Sequence, residues 1–362
     1  MSRIVGHLDL DYFYAQVEEV ENPSLRHIPV VVCVFSGRTE ESGVVSTSNY
    51  EARQYGIKSG MPIAVAKRRL DGLDASFVRM DHGKYEVYSD RVMDLVRGEV
   101  DVFEQAGIDE AFFDLTKKAG GDFDAATGTS ETLKAKILRE EKLTCSVGLG
   151  PNKVVAKIAS DYRKPDGLTV VREEEAKAFL SPLPVGAIYG VGPKTAKLLA
   201  GRGVSTISEL AGFPAQDLAD DLGRKLAAYL HKAANGIDDE PVVDRGGVSQ
   251  LSRIITLKED TKSVEGVMME LIPALKDLHS KLVGKKLFFR SVSAIGIGKD
   301  LSLRTRSRTL ETPADAYSVL EQETRALFGE LLGEMGEARR VGVRLGDLQD
   351  MADQSSIMEF TG

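Results

Sequence analysis

Asp9 and Asp11 interrupt an apolar run in LDLDYFYAQVEE, and a second acidic pair, Asp109 and Glu110, stands in GIDEAFFDL. A core strand has no use for a carboxylate, because burying an unpaired charge is costly. Asp109 and Glu110 fall at a strand-to-strand corner, where a tight turn brings them beside the end of the first strand and Asp9. Three carboxylates converging on one spot repel one another unless cations sit between them, and hard oxygen ligands select Mg²⁺ or Mn²⁺. Two such ions, spaced for in-line displacement, activate a hydroxyl and hold a leaving pyrophosphate. Taken alone, Asp109-Glu110 reads equally well as a pair of turn residues. Asp11 reads as the N-cap of the helix that follows.

The elements that must position these acids follow from periodicity. Residues 2–10 and 28–35 read as buried strands, with a helix from Asp11 or Tyr12 to about Glu21 that ends before Asn22-Pro23. A helix over Gly83 to Arg97 precedes the strands VDVFEQAG and AFFDL. Thr129 to Glu141 reads as a helix, TCSVGLG as a strand and Asn152 to Tyr162 as a helix. This order suggests an α+β layer with helices on one face of a sheet. Short helices with glycine turns occupy Pro182 to Gly236, and ANGIDDEPVVDRGG reads as a linker. Beyond it the pattern is β-α-β-β-α-β. Its first helix carries one apolar stripe: Val264, Val267, Met268, Leu271, Leu275, Leu278 and Leu282. In RTRSRT the period of two places Arg304, Arg306 and Arg308 on one strand face, where they cover a ligand or point to solvent.

The 362 residues have room for several domains, and 42% hydrophobic with 28% charged residues is ordinary for a soluble protein. The longest apolar run, IPVVVCVF, is too short to span a bilayer, and no signal peptide is visible; a cytoplasmic location and no membrane partner are expected. Cys33 and Cys145 sit in apolar strand-like runs and read as core residues. The net charge is -8, yet Arg245 to Leu310 holds 13 Lys/Arg against 6 Asp/Glu. One basic segment in an acidic chain is an electrostatic footprint for nucleic acid.

HLDLDYFYAQVEE, STSNYEARQYGIKSGMP, GIDEAFFDL and SVGLGPNKVVAKIASDYRKPDG, in that order and at these separations, closely resemble the Y-family of DNA polymerases, nearest to the archaeal and bacterial polymerase IV type. The resemblance implies a multi-domain α+β right hand. Its palm is 1–11 and 80–170, fingers 12–79, thumb 171–234, linker 235–247, little finger 248–347 and tail 348–362. It implies template-directed, low-fidelity, translesion addition of dNTPs to a primer, with no segment left for a proofreading exonuclease. Two Mg²⁺ ions per site, with Mn²⁺ as a substitute, are implied as cofactors. Asp9, Asp109 and Glu110 become the metal carboxylates, and Leu10 contributes its backbone carbonyl. Gly107 departs from the family, which usually has Ser there.

By the same resemblance Tyr14 is the steric gate, its ring leaving no room for a 2′-hydroxyl. Tyr12 and Phe13 flank the incoming dNTP, and Thr47, Tyr50, Arg53 and Lys164 contact its phosphates. Val34, Gly43, Val44 and Gly60, small and uncharged, form a loose roof over the nascent pair. AIYGVGPKTAKLLAGRG resembles a helix–hairpin–helix, in which Gly190, Gly192 and Lys194 meet a DNA phosphate. Lys285, Lys286, Arg290 and the three strand arginines grip primer–template DNA in the little finger. In QSSIMEFTG, Gln354, Ile357 and Phe360 have the i, i+3, i+6 spacing of a sliding-clamp box. A monomer is expected. Two other readings are a different palm-fold phosphoryl-transfer enzyme, such as a nucleotide cyclase, and a non-catalytic DNA-binding protein. The first has no use for a thumb hairpin, and the second does not need all three acids.

Overall fold

A computed structural model describes residues 2–350 of the protein, apart from 40, 245 and 247. The first part runs β1 (Val5–Leu10), α1 (Phe13–Glu21), β2 (Val30–Phe35), β3 (Gly43–Ser48), α2 (Tyr50–Gln54), α3 (Ile63–Arg69) and β4 (Ser76–Arg79). It continues through α4 (His82–Gly98), β5 (Val102–Gln105), β6 (Glu110–Asp114), α5 (Phe123–Glu141), β7 (Cys145–Gly150), α6 (Lys153–Tyr162) and β8 (Leu168–Val170). The palm sheet has the order β5-β6-β1-β7-β8. In it β1 is antiparallel to both neighbours, and the short β8 runs parallel to β7. The fingers carry a three-stranded sheet, β3-β2-β4.

The alternation of β1 separates two environments. Leu8 and Leu10 join a core with Tyr85 and Val92 of α4 and Leu133 and Ile137 of α5. Val5 packs with Ala156, and His7 and Asp9 meet Ser160 and Lys164, from α6 and the loop that follows it. Helices therefore cover both faces of the sheet, not one as the sequence pattern suggested. Glycines make this possible: a Cβ on Gly148 would stand 2.1 Å from the Ala156 carbonyl oxygen, so α6 lies directly against β7.

The helix α5 starts at Phe123, earlier than Thr129. Its first turns contain Gly128 and several threonines, which are weak helix formers. The Asp122 carboxylate caps its N-terminus, and the hydroxyls of Thr127, Thr129 and Thr132 donate to carbonyls four residues back. The thumb helices α7 (Ala176–Leu180), α8 (Pro193–Gly201), α9 (Ile207–Gly212), α10 (Ala215–Leu222) and α11 (Arg224–Ala234) share a core around Leu199, Leu210, Leu218 and Leu230 that also takes in Val155 and Ile158 of α6. Part of the linker is anchored to the palm: Val242 is buried with Val5, and the Val243 amide donates to Glu104 at 3.0 Å.

The chain separates into two units. One is Met1–Val32, Ser46–Ser59 and Arg69–Arg245; the other is Cys33–Val45, Gly60–Arg68 and Gly246–Gly362. In the second, the little finger is β9 (Gln250–Thr261), α12 (Val264–Gly284), β10 (Leu287–Ile297), β11 (Leu303–Ala314), α13 (Tyr317–Met335) and β12 (Ala338–Gly346), with sheet order β11-β10-β12-β9. The expected β-α-β-β-α-β order holds. Ser263 caps α12, whose predicted stripe from Val267 to Leu282 is buried. The fingertip joins this unit through Arg38, which donates to the Leu257 carbonyl at 2.6 Å and pairs with Asp260. Both cysteines are buried, as their apolar runs suggested. Among the described residues no helix is long and apolar enough to cross a membrane.

Candidate active site and nucleic-acid interface

Register pairs Asp9 with Glu110 across β1 and β6, and directly opposed residues share a sheet face. The Leu10 amide donates to the Asp109 carbonyl at 2.9 Å, which closes the corner. A tight turn, with the amides of Ala106 and Gly107 each 3.0 Å from the Glu110 carbonyl, presents both acids there. A Cβ on Gly107 would stand 3.0 Å from Glu110 Cγ and 3.5 Å from Asp109 Oδ1, so a Ser at this position needs a small shift of the Glu110 side chain.

The acids sit in an electrostatic network. Lys164 Nζ is 2.7 Å from Asp9 Oδ1 and 2.7 Å from Asp161 Oδ1. Burial pushes the Asp9 carboxyl up to about 6 against the pull of that ammonium. Burial opposes the charge on Lys164, but Asp9 and Asp161 outweigh it and hold the lysine above its ordinary value, so the pair is ionic at neutral pH. Lys157 donates to Glu110 Oε2, and His7 Nε2 lies 3.4 Å from the same oxygen. Contact with His7, joined by the Lys157 ammonium, outweighs burial and holds the Glu110 carboxyl at about 2. Burial, with the adjacent Glu110 charge, raises Asp109.

Three carboxylates at one corner are the donor chemistry of a hard divalent cation. The strands bring the three acids to that corner, but among the described residues no three acidic, histidine or cysteine side chains form a cluster set to hold a metal ion. Lys164 and Lys157 stand against two of the acids instead.

Asp11 is not the helix cap. The N-cap of α1 is Tyr12, in the left-handed region at φ 37°, and no side chain caps it. Asp11 is buried and accepts from Thr144 Oγ1 at 2.9 Å, Ser146 Oγ at 2.7 Å and the Asp166 amide at 2.8 Å. It ties the end of β1 to β7 and to the loop that carries Lys164.

Tyr14 is half-buried and stacks on Tyr85, with centroids 4.3 Å apart and planes at 17°. Tyr85 is fully buried and its hydroxyl donates to Glu18, so the ring behind Tyr14 has nowhere to retreat. Phe13 is buried in the hydrophobic core. Tyr12 packs edge-on against Tyr50 at 5.2 Å, and the Arg53 guanidinium lies 4.8 Å above the Tyr50 ring. Asn49 caps α2 by accepting from Ala52 N, which sets Tyr50 and Arg53 at the start of that helix. Thr47 is half-buried at the end of β3. In the second unit Val34 and Val44 are exposed, and Gly43 has φ +146° with a would-be Cβ only 2.2 Å from the Val34 carbonyl.

In the thumb, Gly190 has φ +89°, which only glycine adopts readily, and Gly192 precedes Pro193 at the start of α8. Lys194 is exposed.

In the little finger Arg304, Arg306 and Arg308 do share a face, and two of them are paired with acids there. Register places Arg306 beside Ala294 and Arg308 beside Val292, core residues on the helix side of the sheet. There Arg306 pairs with Glu334, and Arg308 with Glu323 at 2.8 Å and Glu330 at 2.7 Å, all from α13. Arg304 is exposed, as are Lys285, Lys286 and Arg290. The open face instead carries Arg344 beside Ser293 and Ser252, and Arg340 beside Ile297 and Thr256. Among the described residues neither arginine has an ion-pair partner. The alternation in RRVGVR was the signal for both. Gln354, Ile357 and Phe360 lie outside the described residues.

The family model described as impB/mucB/samB matches residues 8–161, its C-terminal domain residues 248–357, and the thumb domain of DNA polymerase-iota residues 187–238. DNA polymerase IV of Methanosarcina acetivorans is 42% identical over 99% of this chain and 100% of its own, and that of Nitrosopumilus maritimus 39% identical over 99% of each. A Y-family DNA polymerase chimera superposes with TM-score 0.89 at 35% identity, over 96% of this chain and 99% of that one. An insertion ternary complex of Dbh DNA polymerase gives 0.72 at 35%, with the same coverage. Palm, helical thumb and little finger together make up the Y-family polymerase fold. The chain belongs to that family, in its DNA polymerase IV type, and is a DNA-directed DNA polymerase.

Proposed function

We propose that the protein extends primers across damaged template bases, with low fidelity and without proofreading, and that Asp9, Asp109 and Glu110 with the Leu10 carbonyl hold two Mg²⁺ ions. The observation that carries this reading is the Asp9–Glu110 register beside the Asp109 turn, with Tyr14 braced on Tyr85. Bound there, the ions would lower the pKa of the primer 3′-hydroxyl and neutralise charge on the leaving pyrophosphate. The protein's own contribution is positioning. Arg53, Tyr50, Thr47 and Lys164 orient the triphosphate, and Tyr14, backed by a ring that cannot move, rejects a ribose. Tyr12 supports the site by packing on Tyr50.

The small residues Val34, Gly43, Val44 and Gly60 favour a roomy roof and hence weak base selection. DNA is held by its backbone at Gly190, Gly192 and Lys194, and by the open little-finger face at Arg340 and Arg344. Lys285, Lys286, Arg290 and Arg304 add to the field from the same unit. The ternary complex among the solved relatives supports a DNA and nucleotide partner. The spacing of Gln354, Ile357 and Phe360 supports docking of a monomeric enzyme on a sliding clamp.

The test is extension of a primed template with Mg²⁺ and either dNTPs or rNTPs. Wild type should use dNTPs only, on intact and abasic templates. Asp109→Ala should lose activity by at least about 100-fold, the scale of losing one transition-state charge contact. Tyr14→Ala should admit ribonucleotides. Extension by Asp109→Ala at the wild-type rate would remove the metal role from this corner.

A further inference from the structure

Both lysines that meet the acids come from one stretch of chain. Lys157 lies within α6, and Lys164 two residues beyond its end. An ammonium at hydrogen-bonding distance from a carboxylate occupies the position and supplies the charge that a metal ion would. A divalent ion binding Asp9 and Glu110 must therefore displace each lysine or share the carboxylate with it, against the repulsion of the ammonium.

Each lysine has a second seat. Lys164 already bridges to Asp161, and a nucleoside triphosphate offers it a stronger anionic partner. Lys157 Nζ lies 5.6 Å from the centre of the Tyr189 ring, within cation–π range. Tyr189 is 70% exposed and lines, with Glu110 and Lys157, a cavity of about 880 Å³. His7 borders the same pair: its Nε2 is 3.4 Å from Lys157 Nζ, and its Nδ1 is 2.8 Å from Ser160 Oγ.

We propose that Lys157 and Lys164 form a charge interlock that keeps divalent cations weakly bound at Asp9 and Glu110 until a nucleoside triphosphate draws Lys164 away. The coupling is reciprocal, so the metal tightens the nucleotide by the same factor that the nucleotide tightens the metal. The interlock rests on the reading of Asp9, Asp109 and Glu110 as metal carboxylates. Lys157 acts here as a positioning residue, through Glu110.

The experiment measures Mn²⁺ affinity of the full-length protein by electron paramagnetic resonance, without DNA or nucleotide. Lys157→Gln and Lys164→Gln should each bind Mn²⁺ about tenfold more tightly than wild type, since no ammonium opposes the ion. Lys157→Arg, which keeps the charge and the packing, should stay at the wild-type affinity. Unchanged or weaker binding in both glutamine variants overturns the interlock, as does tightening in Lys157→Arg. Asp109→Ala separates this from the underlying reading. If it abolishes Mn²⁺ binding while the glutamine variants fail to tighten it, only the interlock falls. If it leaves Mn²⁺ binding intact, the metal assignment falls as well.

Discussion

The palm and the little finger both answer charge with charge, but at different depths. In the palm, Lys153 pairs with Glu104 at 2.6 Å, and only 8% of each side chain is exposed. In the little finger, Arg308 meets two glutamates with 41% of its side chain exposed. A buried pair is costly to break because the remaining charge stays out of water, whereas an exposed pair is screened and worth little. The palm pairs thus define a shape. The little-finger pairs neutralise a basic strand on the helix side and leave the opposite face to Arg340 and Arg344, which have no acidic partner among the described residues.

Removing the palm ammonium is the most severe way to break this contrast. Lys153→Met removes the ammonium 2.6 Å from the buried Glu104 carboxylate, which keeps the Val243 amide as a donor. The expected loss is about 3–5 kcal/mol of unfolding free energy, read as a lower urea midpoint. A loss below about 1 kcal/mol would put this pair in the same class as those of the little finger.

A smaller effect is expected on the open face. Arg344→Ala should weaken binding to primer–template DNA about tenfold, the cost of one charged hydrogen bond. The slope of log affinity against log salt should become shallower by about one. Affinity and slope both unchanged would move the DNA footprint off this face and back to the edge arginines.

Elements with a strong period were legible in the sequence. The α12 stripe, the order of elements in the little finger and the corner acids all follow from alternation and punctuation. What the sequence could not show is which distant groups share a face. Asp11 looks like a cap because only Tyr12 and Phe13 follow it locally, while the donors that hold it, Thr144, Ser146 and Asp166, come from more than 130 residues away. Tyr85 behind Tyr14 was equally hidden. The arginine alternation located one face correctly but not which one. That depends on the register of β11 against β10, a long-range pairing with no local signature.

The smallest effect is the sharpest test of that register. Arg308 holds Glu323 and Glu330 across the edge of the sheet, and a long side chain loses rotamer freedom to do so. Solvent screens both contacts. Arg308→Ala should therefore cost less than about 1 kcal/mol of stability, and DNA affinity should stay within about twofold of wild type. If it instead lowers DNA affinity as much as Arg344→Ala, the α13 glutamates release Arg308 when DNA binds. The little-finger pairs would then be exchangeable partners, like the lysines beside the palm acids, and the contrast between the two sheets would be one of depth alone.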